Sequence, residues 1–350
     1  MESNNNDTKM NKPLIVFRIK SEEVFDITVD IIKFLIKKKY VEYIYLENVE
    51  NINSEVLYGN KDNEKYFKIF NKDTQDSNLC IIIGGDGTVL WANTLYGEKK
   101  KPPFLCFQGG NLGFLAIYEL KNYEEIFKDL YENRNYKLFH RKEIICSVYE
   151  KKEKKEKIEV HQRKGRRKSG KFTIIGDIDR DNFDRFSEKP VKVYNALNEI
   201  YLEKTANMSH LYLFLENHFL AKVSSDGCIF ATPTGSTAYS LSAGGPIVHN
   251  DVSGIIITSI CPFSLSFRPI VLPSNAKIRV KNNPNFEDSY SSIKMDGNNK
   301  GILDNDHYLE ISLSDSGIDF IVLQKTKESL DKLWIEKISN SLGWNYSFAH

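Results

Sequence analysis

The chain has 350 residues, enough for about two domains, and its net charge of +1 gives no sign of a global nucleic-acid or membrane partner. Cys80, Cys106, Cys146, Cys228 and Cys261 stand singly in mostly apolar segments, and the seven histidines are scattered, so reduced core cysteines are expected and no metal site. The polar residues 1–8 lack the apolar core of a secretory signal and no apolar run reaches bilayer length, which points to a cytoplasmic protein.

In chain order, Pro13 to Ile19 reads as a strand. Ser21, Glu22 and Glu23 then cap a helix whose apolar positions Val24, Ile27, Ile31, Phe34 and Leu35 recur at helical spacing. Val41 to Leu46 is the next expected strand, and a polar stretch from Glu47 to Ser77 has room for one short helix. Leu79 to Ile83 is apolar on both alternating faces, as a central parallel strand requires, and ends abruptly in Gly84-Gly85-Asp86-Gly87-Thr88. Glycines at such a turn let backbone N–H groups approach an anion, and a helix opening near Thr88 adds a field that favours phosphate. The pattern is neither a dinucleotide fingerprint nor a Walker A loop. Asp86 is the odd member, because a carboxylate beside phosphates is repulsive unless a metal intervenes or the acid takes a proton from an attacking hydroxyl. A plain Asx-turn is the alternative reading.

A strand from Pro102 to Phe107 ends in a second glycine-rich turn, Gly109-Gly110-Asn111-Leu112-Gly113-Phe114-Leu115, placing both turns on the carboxyl edge of a parallel sheet. Tyr123 to Tyr131 reads as an amphipathic helix. From Tyr136 onward strand follows strand, the grammar of a mostly β domain. It is interrupted between Glu150 and Lys192, where residues 151–171 hold eight lysines and three arginines against three glutamates, a composition that suits a solvated loop. Asn198 and Glu199 are adjacent polar residues in a strand-like run; they mark either a strand end or a pair that bonds sugar hydroxyls and a base edge. A hairpin about Glu216-Asn217-His218 follows, then a tight turn at Asp226-Gly227. Thr232-Pro233-Thr234-Gly235-Ser236-Thr237-Ala238-Tyr239 breaks the next strand and opens a short helix, with Tyr239 offering an aromatic wall, although a plain capped helix shows the same hydroxyls. Six later strands are expected, the last two separate at Tyr308–Leu313 and Asp319–Leu323. Asp296 in the Asp296-Gly297-Asn298 turn is read as structural. Leu330, Leu333, Trp334, Ile338 and Leu342 form one face of a closing helix.

These readings give an α/β N-terminal domain with a mainly parallel sheet, a mostly β C-terminal domain, and a C-terminal helix packing back on the first domain. The expected boundaries are a disordered tail at 1–12, the phosphate-binding domain at 13–135, the β-rich domain at 136–325 with a charged insert at 151–190, and the returning helix at 326–350.

Taken together and in order, Gly84-Gly85-Asp86-Gly87-Thr88, Gly110-Asn111-Leu112-Gly113-Phe114-Leu115, Leu197-Asn198-Glu199, Asp226-Gly227 with Thr232 to Tyr239, and Cys261 to Pro269 resemble the NAD kinases, as does the late Trp344-Asn345. The resemblance implies magnesium-dependent phosphoryl transfer from ATP, or another phosphate donor, to the adenosine ribose 2′-hydroxyl of NAD, giving NADP. It makes Asp86 the general base, with Gly87 and Thr88 along the phosphate path, Gly84 and Gly85 in the same binding set, and Phe114 beside the dinucleotide. Asn198 and Glu199 are implied to hold ribose and base, Thr237, Ala238 and Tyr239 to bound the adenine pocket, Asp226 to touch the nicotinamide half, and Ser242 to join the same binding set. Magnesium is expected to arrive on the donor phosphates, and a homodimer or homotetramer is implied. A lipid kinase sharing the glycine turn is one rival; it needs an apolar substrate pocket. A non-catalytic dinucleotide sensor is another, and it gains nothing from a proton acceptor set against phosphate.

Overall fold

The computed structural model describes residues 9–18, 21–47, 61–71, 73, 76–97, 99–110, 113–152, 183–286, 289–323, 332, 334–340 and 342–343. The chain divides into two units, Met1–Arg141 with Gly317–His350, and Lys142–Ser316.

The first unit is laid out as β1 (Pro13–Phe17), α1 (Glu22–Lys37), β2 (Ile44–Leu46), β3 (Phe67–Ile69), β4 (Leu79–Gly84), α2 (Asp86–Tyr96), β5 (Phe104–Gln108), β6 (Tyr118–Glu119) and α3 (Tyr123–Tyr131), followed by the start of β7 (Tyr136–Glu150). Strand order is β3-β2-β1-β4-β5, parallel at every pairing. From β1 the chain builds outward through β2 and β3, then returns to the other side of β1 for β4 and β5. The carboxyl ends of β1 and β4 therefore form the switch point where open α/β sheets bind ligands. β4 is buried along its whole length, which explains its unbroken apolar sequence. Ser21 caps α1 by accepting the Val24 N–H at 3.4 Å, Glu22 and Glu23 sit in its first turn, and Val24, Ile31, Ile32 and Leu35 are buried against the sheet.

The second unit adds β8 (Lys192–Ala196), β9 (Glu199–Lys204), β10 (Ser209–Leu215), β11 (His218–Ser225), β12 (Gly227–Ala231), α4 (Tyr239–Ser242), β13 (Gly254–Ile260), β14 (Ile270–Pro273), β15 (Ile278–Asn282), β16 (Ser291–Met295), β17 (Asn298–Leu303) and the first part of β18 (His307–Leu323), whose residues from Gly317 onward belong to the first unit. An antiparallel six-stranded sheet runs β14-β13-β12-β9-β16-β17, and β11-β10-β15-β18 forms a second antiparallel set. Ile200, Leu202, Phe230, Ile257 and Ile293 from the first set pack with Leu211, Leu213, Ile278, Val280 and Ile311 from the other, filling the space between two sheet faces.

Several expectations move. Val41 to Tyr43 is loop rather than strand: Glu42 N–H turns away to the carbonyl of Asn11, at 2.8 Å, so only Ile44–Leu46 pairs with β1. The polar stretch before β4 holds a 3-10 turn, Lys61–Tyr66, and a third strand, β3, that its composition hides. Residues 9–12, expected within a disordered tail, are held: Met10 is buried, and its carbonyl accepts the Tyr131 hydroxyl at 2.9 Å. The two last strands are one, β18, because Gly317 serves close packing instead of a turn; a Cβ there would lie 2.2 Å from the Arg141 carbonyl oxygen. Four cysteines are buried as expected, but Cys261 is exposed just past the end of β13, with φ of +46°. Most of the charged insert (153–182), and Asn111, Leu112, Leu330, Leu333, Trp344 and Asn345, lie outside the described residues. No described helix is long and apolar enough to cross a membrane.

Candidate active site

In the first unit the glycine turn forms as β4 ends and α2 begins one residue later. Gly85 is the N-cap and Asp86 the first helical residue, so the helix starts two residues earlier than the sequence suggests. The turn's three glycines serve different ends. A Cβ on Gly84 would fall 2.3 Å from Thr88 Oγ1, so this position lets the threonine fold back on the strand end. Cβ atoms on Gly85 or Gly87 would meet nothing within 4 Å, and neither has a positive φ. Neither packing nor backbone strain demands glycine there; the open space and unobstructed amides at a helix N-terminus suit an anion.

The second glycine turn lies against the first, with Gly109 N–H donating to the Gly84 carbonyl at 3.0 Å. It delivers two amides to the acid: Phe114 N–H donates to Asp86 Oδ2 at 2.8 Å, and Leu115 N–H to Oδ1 at 2.9 Å. Gly113 makes that approach possible, since a Cβ there would lie 2.2 Å from Asp86 Oδ1. Each carboxylate oxygen keeps a further lone pair for a hydroxyl proton. Arg18 leaves β1 at the same edge, its N–H bonded to the Ile83 carbonyl at 3.1 Å and its guanidinium beside Gly110.

From the C-terminal helix (residues 334–340) comes a residue that sequence reasoning passed over. Lys337 is buried, and its ammonium donates to the carbonyls of Gly113 and, at 3.0 Å, Ala116. Burial pushes its pKa down to about 8, opposed by the Asp86 charge, while burial lowers the Arg141 guanidinium to about 10. The signal was available, because Lys337 falls three residues after Trp334, on the apolar face.

In the second unit, Asn198 and Glu199 stand at the start of β9 and both are buried. Their backbone is fixed from two sides. Asp296, read from sequence as structural, accepts the N–H groups of Leu197 at 2.8 Å, Asn198 at 2.9 Å and Glu199 at 3.2 Å. Thr232 Oγ1 donates to the Leu197 carbonyl at 2.7 Å, and Gly235 lies so close that a Cβ would sit 2.1 Å from the Asn198 carbonyl oxygen. The Glu199 carboxyl faces the backbone N–H of Tyr239, yet its Oε2 is buried with no hydrogen-bond partner among the described residues. Burial, with the Asp296 charge adding to it, pushes this carboxyl up to about 8.

Thr237 ends a 3-10 turn, Thr234–Thr237, its hydroxyl donating to the Thr234 carbonyl at 3.2 Å, and Ala238 links that turn to α4. The Tyr239 ring stands edge-on to Tyr201, with centroids 4.9 Å apart. The fold thus brings Asn198, Glu199 and the Thr237–Tyr239 segment together. Ser242 is exposed at the end of α4. Asp226 sits at the other end of β9, where Gly227 pairs with Glu203, and its carboxylate is engaged by Lys204 at 2.6 Å.

The ATP-NAD kinase N-terminal domain model matches residues 14–136, and the ATP-NAD kinase C-terminal domain model matches residues 197–323. ATP-NADH kinase YEF1 of Saccharomyces cerevisiae is 29% identical over 97% of this chain, which spans 65% of that protein's length. A Schizosaccharomyces pombe protein described as uncharacterized kinase C3H5.11 is 31% identical over 89% of this chain and 77% of its own. Among solved structures, yeast NADH kinase complexed with NADH superimposes with a TM-score of 0.77 at 26% identity, over 99% of this chain and 94% of the other. Two domain models matched in sequence order, and a relative spanned over most of its length, establish that the chain belongs to the NAD kinase family.

Proposed function

We propose that this protein transfers the terminal phosphoryl group of ATP to the adenosine ribose 2′-hydroxyl of NAD, giving NADP and ADP. The observation that carries the reading is Asp86: a carboxylate at the first position of a helix, oriented by two amides and flanked by Gly85 and Gly87, over which space is open. In this reading the 2′-oxygen forms its bond to the γ-phosphorus as the bond to the bridging oxygen of ADP breaks, and the hydroxyl proton passes to Asp86. The amides of Gly85 and Gly87 and the guanidinium of Arg18 supply attraction for the donor phosphates. Asn198, Glu199, Thr237, Ala238 and Tyr239 supply hydrogen bonds and an aromatic edge for ribose and base, with Phe114, Asp226 and Ser242 as further contacts. Among the described residues no cluster of three or more His, Cys, Asp or Glu side chains is placed to hold a metal. In this reading magnesium arrives on the donor's phosphates, as part of the substrate, because Mg²⁺ prefers few carboxylates and several waters. The exposed Phe263 and Leu265 (78% and 87%) support assembly as a homodimer or homotetramer.

Incubating the protein with magnesium, ATP and NAD, and in parallel NADH, tests the proposal. NADP or NADPH is the expected product, and absence of both ends the reading. Asp86→Asn separates a kinase from a dinucleotide sensor: the kinase loses turnover but keeps NAD binding, whereas a sensor has no turnover to lose.

A further inference from the structure

A lysine that is only 3% exposed, on the buried face of a helix, calls for a partner and a purpose. Lys337 finds its partners in two carbonyls, those of Gly113 and Ala116. These residues bracket Phe114 and Leu115, whose amides hold the two oxygens of Asp86. The geometry is tighter than simple adjacency. The Gly113 carbonyl and the Phe114 N–H belong to a single peptide group, and in a trans peptide they point in opposite directions. An ammonium bound to the oxygen thus aims the N–H away from itself, and Asp86 Oδ2 lies 2.8 Å along that line. Ammonium, peptide and carboxylate form one polarised hydrogen-bond chain.

From this we infer that Lys337 is the positioning residue of the phosphoryl-transfer base, setting the Asp86 carboxylate through the Gly113–Phe114 peptide; the inference rests on the reading of Asp86 as that base. Lys337 touches no reacting atom. Three groups face its amine from neighbouring elements: Asp86 on α2, which favours its charge, Arg141 on β7, which opposes it, and the Cys106 thiol on β5. With burial, the balance leaves the amine titrating near pH 8, so the chain is fully polarised below that pH and loses its charge above it.

The test is a pH–rate profile of the full-length protein and two variants, with NAD binding followed by calorimetry. Lys337→Met is expected to lower kcat by about 10- to 100-fold, the cost of a misoriented base, with KM for NAD changed less than about threefold. The wild type should lose rate as pH rises through about 8, and Lys337→Met should lack that alkaline limb. Lys337→Arg, charged at every working pH, should recover more of kcat than Lys337→Met and also lack the limb. An unchanged kcat with the limb retained in Lys337→Met overturns the inference, as does Lys337→Arg behaving like Lys337→Met.

A second measurement needs neither turnover nor a fold that survives Lys337→Met. The Lys337 side-chain 13Cε resonance should titrate near pH 8 in the wild type and at lower pH in Asp86→Asn, because the charge that favours the ammonium is gone. Equal midpoints overturn the coupling. A wild type without kinase activity sinks the reading of Asp86 as base, while the lysine titration still decides whether the two side chains are linked.

Discussion

Asp86 in the first unit and Glu199 in the second are both carboxyls at the start of a regular element, yet their surroundings are opposite. The oxygens of Asp86 are each met by a backbone amide, and Lys337 stands behind one of those peptides. Glu199 is buried to 5% exposure, leaves one oxygen without a partner among the described residues, and is pushed up to about 8. Asp86 is oriented by amides of its own chain, whereas Glu199 has one oxygen that no described residue meets. A group that must accept a proton in a fixed direction has to be oriented before substrate arrives. A group that recognises a ligand can carry an unmet hydrogen bond that the ligand completes. The contrast predicts that changes at Asp86 act on rate and changes at Glu199 act on affinity.

The sharpest way to break that contrast is Asp86→Asn. It keeps the size of the side chain and one acceptor oxygen but removes the proton acceptor, so kcat should fall about 10²- to 10⁴-fold while NAD and ATP dissociation constants, read by calorimetry, move little. Equal losses of affinity and rate would make Asp86 an architectural residue. Next in size is Gly113→Ala. Its methyl would lie 2.2 Å from Asp86 Oδ1, so the carboxylate must swing or the loop must withdraw. Either displacement is expected to lower kcat roughly 100-fold. A melting temperature within a few degrees of the wild type shows that the loss is one of aim, not of fold.

Gly85→Ala probes the other kind of glycine. Nothing lies within 4 Å of the added methyl and φ is −96°, so stability should be unchanged. If the open space is where donor phosphates sit, KM for ATP should rise by about tenfold, equivalent to roughly 1.4 kcal/mol of lost approach, with KM for NAD unaffected. A Gly85→Ala enzyme with wild-type KM for ATP would remove this residue from the phosphate path.

How much of this was legible in the sequence depends on distance along the chain. The strand, glycine turn and helix around Asp86 were readable because one short stretch carries both packing and chemistry: five fully buried apolar residues followed at once by two positions with no side chain. The amides of Phe114 and Leu115 reach Asp86 only because β5 pairs with β4 in the register that sets Gln108 opposite Gly84, and no local pattern encodes that register. Lys337 was hidden for a different reason. Helical periodicity is read from apolar residues, so a lysine on the apolar face registers as an interruption of the stripe rather than as part of it. Asp296 was correctly read as structural, but the turn sequence could not show that its three amide partners fix the backbone of Asn198 and Glu199.

Glu199→Gln gives the smallest effect and the most specific. An uncharged side chain of the same shape still presents an acceptor or donor to a sugar hydroxyl, so NAD affinity should fall only about fivefold near pH 8. The pH dependence is where the two proteins separate. In the wild type Glu199 is protonated in the folded state up to about pH 8, and a ligand that donates to Oε2 binds the ionised form better. NAD affinity should therefore climb as pH rises from 6 toward 8 and then level off, whereas Glu199→Gln should be flat across the range. Folding stability runs the opposite way. Below the ordinary carboxyl range the group is protonated in both folded and unfolded chains, and its contribution is complete. As pH rises from there to about 8 only the unfolded chain gives up its proton, and that contribution is progressively lost. Denaturant titrations at pH 5 and pH 8 should accordingly show the wild type losing more stability than Glu199→Gln between the two. Parallel losses would mean that Glu199 is already ionised in the empty protein, with an unseen partner on Oε2, and the contrast with Asp86 would disappear.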